Sequence, residues 1–218
     1  MFTKEYPYLL AGLPELIFNG DVKAFSFAQL TDDIKENIAD NDKKLLRLLL
    51  MGLKENSQTA AFYSETAKSK NKFIQDYFSF DCNLRNLLAG AAARQLNLKA
   101  DSFLIGQNSI TDAILHSKAN DFGLSSEIDF MPTLHAIIET PNLLEREQKL
   151  DLLRWAKADE LTIFNYLDIN RILAFVIKAN IVKRWLELDK QKGQEFFARL
   201  VQEIKNSRKE NNKEENAE

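Results

Sequence analysis

From about Ser26 onward, apolar residues recur at spacings of three and four with few interruptions. Seven glycines and four prolines make 11 of 218 residues, about 5% where average usage is roughly 12%. Tight turns and phosphate-cradling loops depend on those residues, so turn-rich and nucleotide-loop architectures are disfavoured and an all-α fold of many helices is expected. Of those residues Gly12, Pro14, Gly106, Gly123 and Pro141 fall between the expected helices and Pro132 near the start of one.

The periodicity predicts a helix over 42–55, with Leu45, Leu48, Leu49 and Leu53 as its stripe, and one long helix or two in series over 59–96. Residues 97–108 break the period, 111–118 form a short helix, and 119–123 read as a turn. Ser125 or Ser126 is a candidate N-cap for a helix over 127–139, where Pro132 is tolerated only near the first turn. Helices over 143–165, 168–188 and 190–205 follow. The first residues, with Pro14 closing an apolar stretch, are expected to be a short extended or irregular segment. They lack the basic and apolar regions of a signal peptide. The tail 206–218 has almost nothing apolar to bury and is expected to be a disordered, charged extension of a single domain, 1–205.

A net charge of −3 and a pI near 5.6 argue against a dedicated nucleic-acid binder. Lys68, Lys70 and Lys72 do interleave with Phe73, Tyr77 and Phe78, but helical spacing directs the aromatics to the core and the lysines to solvent. No run approaches the length of a membrane span. The single Cys82 precludes an internal disulfide and suits a reducing compartment. His116 and His135 belong to no metal-binding pattern, and Asp121-Phe122-Gly123 reads as a turn with Phe122 in the core. No catalytic constellation, cofactor site or metal site is predicted.

Two stretches echo each other: Phe80 to Ala89 and Tyr166 to Ala174 share the order aromatic, Asp-x-Asn, Arg, two apolar residues, Ala. The echo reads as two related helical modules, 1–120 and 121–205. An Asp or Asn inside a helix is unfavourable without a hydrogen-bond partner. Asp81, Asn83, Arg85, Asn86 and Arg94, with Asp168, Asn170 and Arg171, are therefore the polar residues expected to matter, as locks between helices or as interface groups. Arg154-Trp155 and Arg184-Trp185 are candidate interface anchors, against a plainer reading of core tryptophans with arginines at the rim.

Several stretches in order resemble one bacterial family of unassigned function encoded beside V-type (A/V-type) ATP synthase genes. They are Tyr8 to Leu16, Lys70 to Ile74, Asp121 to Leu124, Leu144 to Glu147, Asp151 to Trp155 and Leu188 to Gly193. That family is itself similar to the C subunit, also called subunit d, of those rotary machines, an all-helical funnel of three modules. The resemblance implies a subunit-C-like bundle with a module missing, and a non-catalytic central-stalk linker without cofactors. Its implied partners are the central-shaft subunits and the membrane rotor ring, through which it would serve proton or sodium ion transport. It would lie in the cytoplasm, peripheral on the inner face of the cell membrane and held there only through partners. A helical adaptor or regulator of a soluble partner, with no part in ion transport, is the alternative expectation.

Overall fold

The computed structural model describes residues 4–18 and 25–188, and these are mostly helical, with no strand among them beyond an isolated bridge. In chain order the helices are α1 (Pro7–Gly12), α2 (Phe27–Asn37), α3 (Asp40–Gly52), α4 (Ala60–Ala67), α5 (Lys72–Gln95), α6 (Ser109–His116), α7 (Met131–Ile138), α8 (Leu143–Glu160) and α9 (169–188). A 3-10 turn at Asp101–Phe103 lies between α5 and α6. The expected helix over 190–205 and the tail 206–218 lie outside the described residues.

Side-chain caps start most of these helices. Ser26, Thr59, Asn71, Asn108 and Asn142 each accept a bond from a backbone N–H of the following turn, satisfying donors that a helix leaves unpaired. Asn71 divides the predicted 59–96 stretch into α4 and α5. Three other expectations need correction. The N-terminal segment contains a helical turn, because Pro7 stands where a first helical position tolerates it. Helix α7 starts at Met131, not near residue 127, because 124–131 is held as turns through Ile128 N–H to Leu124 and Met131 N–H to Ile128. Helix α8 ends at Glu160, where the Thr162 hydroxyl takes the Ala158 carbonyl.

Two cores form. The first joins both ends of the described chain: Ile34, Leu46, Leu49, Phe62, Phe73, Ile74 and Phe78 meet Ile172, Leu173, Val176 and Ile177 of α9. The second is built from the middle, with Phe80, Leu84 and Leu87 against Ile114, Phe122, Leu124, Met131, Leu134 and Leu150. The cores therefore do not follow the chain halves 1–120 and 121–205. In α3 the fully buried leucines are Leu46 and Leu49, while Leu45, Leu48 and Leu53 of the expected stripe pack half-buried against the same core. A bridge between Glu5 and Asp168, and Tyr6 N–H donating to the Leu167 carbonyl at 2.6 Å, tie the start of the chain to the start of α9. Burial pushes the Tyr6 phenol up to about 12, helped by its bond to Asp42.

Helix packing is close at two glycines. A Cβ on Gly52 would lie 2.4 Å from the Phe62 ring and 2.5 Å from that of Phe78, and one on Gly90 would lie 2.5 Å from Ile114 Cγ2. Both glycines accept a weaker helix so that neighbours can come near.

Candidate functional site

Helix α5 runs through both cores, with Phe78 the last of its fully buried residues in the first, Cys82 packed at that core's edge, and Phe80 the first in the second. Helix α8 crosses in the other direction, from Leu150 and Leu153 to Trp155 and Ala158. The charged side chains of both helices meet at this crossing. Tyr63 Oη donates to Asp81 Oδ2 at 2.6 Å and Arg85 Nε to the same oxygen at 2.8 Å, while Arg154 Nε reaches Asp81 Oδ1 at 3.4 Å. Arg154 Nη1 also donates to Asp151 Oδ1 at 3.1 Å. Asp151 Oδ2 accepts from Trp185 Nε1 at 2.9 Å and from Arg184, and Arg184 Nη2 touches Glu147 at 3.5 Å. One network thus joins α4, α5, α8 and α9.

The network is buried at its centre, with Asp81 5% and Asp151 2% exposed. Among the described residues, no buried side-chain nitrogen or oxygen lacks a partner. Burial alone would raise the Asp81 pKa, but Arg154 and then Arg85, with the Tyr63 hydrogen bond, hold its carboxyl below the usual carboxylate range. Burial and the Asp81 charge raise Tyr63 and Tyr77, so both phenols keep their protons. Burial also pushes the Cys82 thiol up to about 11, which leaves it protonated and weakly nucleophilic at neutral pH. Asp81, the two phenols and the thiol thus hold one protonation state each near neutrality. Such a network fixes the register of helices.

An open cleft of about 640 Å³ lies along the crossing, lined by Tyr77, Arg85, Asp151, Arg154, Asn180 and Arg184 among others. Its guanidiniums already face carboxylates of the chain itself. No group of three or more His, Cys, Asp or Glu with metal-binding geometry occurs among the described residues. His116 is exposed with Nδ1 2.9 Å from the Asp112 carbonyl, and His135 lies 3.5 Å from Glu139.

The remaining sequence candidates lie elsewhere. Asp168 caps α9, accepting from the backbone of Asn170 at 3.0 Å and from the Asn165 side chain at 2.6 Å. Asn71 Nδ2 donates to Asn170 Oδ1 at 2.7 Å, so the caps of α5 and α9 are linked. Arg171 reaches Thr162 at 3.3 Å and Asp159 at 3.6 Å. Sixteen residues of α9 put this capping group about 24 Å from Arg184. The echoed segments are consequently not equivalent: Asp81 lies inside a continuous helix and Asp168 lies before one.

Asn86, fully buried, donates to the Ile105 carbonyl at 3.0 Å and accepts from its N–H at 2.8 Å, pinning the loop after α5. Asn83 is half-buried and belongs to neither group. Arg94 donates to the carbonyls of Ser117 and Ala119 and covers the Phe122 ring at 3.9 Å. Phe122 turns through a left-handed backbone, with φ at 56° and its ring buried, while Asp121 accepts from Gly123 N–H at 3.0 Å. Trp155 packs on the first core with Lys178 over its ring at 5.0 Å. Lys68, Lys70 and Lys72 point to solvent, and Phe73, Tyr77 and Phe78 are buried.

The sequence reading missed Tyr63, Asp151 and Glu147. Asp151 carried a signal, since it stands three residues before Arg154 on the face that α8 turns inward. Tyr63 carried none, because its partner is 18 residues away on another helix.

These features define an all-α protein whose two cores are joined by through-running helices and a buried ion-pair network. Residues 52–208 match the model of a family of proteins of unknown function, DUF2764, and the chain belongs to that family. No curated protein and no solved structure matches it. No helix among the described residues is long and apolar enough to cross a membrane.

Proposed function

We propose that this protein is a non-catalytic linker in the central stalk of a V-type (A/V-type) ATPase or ATP synthase. It would join the rotating shaft to the membrane ring and so serve proton or sodium ion transport. The observation that carries this reading is the crossing of α5 and α8, where the ion pairs of Asp81 and Asp151 bind four helices into one body. A part that transmits torque needs that stiffness and needs no reaction chemistry of its own. The ordered resemblance from Tyr8 to Gly193 supplies the choice of machine. In this role the protein is cytoplasmic and reaches the membrane only through its partners, with no cofactor.

The test is isolation of the intact ATPase from membranes, with the subunits quantified by mass spectrometry. The linker is expected in stoichiometric amount with the shaft subunits. Its consistent absence would sink the reading and leave the adaptor of a soluble partner in its place.

A further inference from the structure

A groove of about 210 Å³ runs between the start of the chain and α9. Its apolar lining is Leu10, Leu13 and Pro14 from the N-terminal segment with Tyr166, Ala174 and Phe175. Small-molecule sites are commonly about 300–1,000 Å³, so this one is better sized for one or two side chains of a partner. Its lining contains two bases, Arg171 and Lys178, and no acid. Asp159 pairs with both, at 3.6 and 2.8 Å; Lys178 is 14% exposed and committed to that pair, whereas Arg171 is 42% exposed and is the cation open to a partner. The two bases are seven residues apart on one face of α9, about 10 Å along its axis. Tyr166 in the lining and its near sequence neighbours Ile163 and Phe164 are 73%, 61% and 85% exposed. Single exposed apolar residues are ordinary, but three large ones within four positions beside an apolar groove form a contact patch.

We propose that this groove docks an acidic amphipathic helix of a partner protein. An apolar side chain seats between Leu13 and Phe175, and a carboxylate meets Arg171. Charge complementarity selects this occupant over a basic peptide. The proposal holds whether the partner belongs to a rotary ATPase or not.

The probe is a phage-displayed library of random peptides selected on the full chain. Enriched peptides should combine a large apolar residue with Asp or Glu. Their affinity should fall about tenfold or more, equivalent to about 1.4 kcal/mol, in Tyr166→Ser and again in Arg171→Gln, and stay unchanged in the distant Lys149→Gln. Tyr166 is 73% exposed, so its variant tests the surface without disturbing the core. Enrichment of basic peptides, no enrichment, or binding indifferent to Tyr166→Ser would overturn the proposal. So would a dimer in sedimentation, or binding to phosphatidylglycerol vesicles, that Tyr166→Ser abolishes, because either assigns the face to a different occupant.

Discussion

Tyr63, Arg85 and Arg154 all donate to Asp81, and its removal at a 5% exposed position would leave Arg85 without its counter-charge and Arg154 with Asp151 alone. Breaking a buried pair in this way costs about 3–5 kcal/mol, so Asp81→Ala should lower Tm by roughly 10 °C in a scanning calorimeter. The pH dependence has a definite sign. A carboxyl held below its unfolded pKa of about 3.9 stabilises the fold above that value and loses the effect as pH falls toward the folded pKa. Urea midpoints should therefore drop more steeply below about pH 4 in the wild type than in Asp81→Ala. A parallel decline would remove Asp81 from the account. Asp81 and Arg85 could be singled out from sequence because they belong to the echoed segment and an Asp inside an apolar helix is unfavourable without a partner. That Arg154 and Asp151 complete the cluster depends on how α8 crosses α5, which no local pattern encodes.

At the scale of elements, Arg94 works as a clasp between the end of α5 and the turn that leads from α6 toward α7. It holds two carbonyls and covers Phe122, and each hydrogen bond to a charged group is worth about 1.5–3 kcal/mol. Arg94→Ala is expected to cost about 2 kcal/mol, read as a lower denaturation midpoint. Unchanged stability with lost assembly would make Arg94 an interface residue instead. Helix positions were legible where apolar period and cap agreed, as at Asn142 before α8. They were misread where the first turn lacked a cap, as at α7, whose start depends on the packing of Ile128 and Met131 into the second core. The echo misled for a related reason: Asp and Asn suit both a helix cap and a buried ion pair, and the residues alone do not say which.

For the whole molecule, the passage of α5 and α8 through both cores predicts one cooperative unit. Hydrogen exchange followed by mass spectrometry should find α5 protected to a similar degree on either side of Asp81, with both cores opening together. Early loss of protection in 100–138 alone would show two independently stable parts and would weaken any role in transmitting torque. The same architecture bears on synthesis. The second core draws on a contiguous stretch, Phe80 to Leu150, whereas the first needs α9 against Ile34, Leu46 and Phe62. As the chain leaves the ribosome, its earliest helices thus have no finished core to enter until nearly all the described sequence has been translated. Their apolar faces stay open in the interval, a nascent surface for chaperones, and α9, the last of the described helices to emerge, closes the earliest part of the fold.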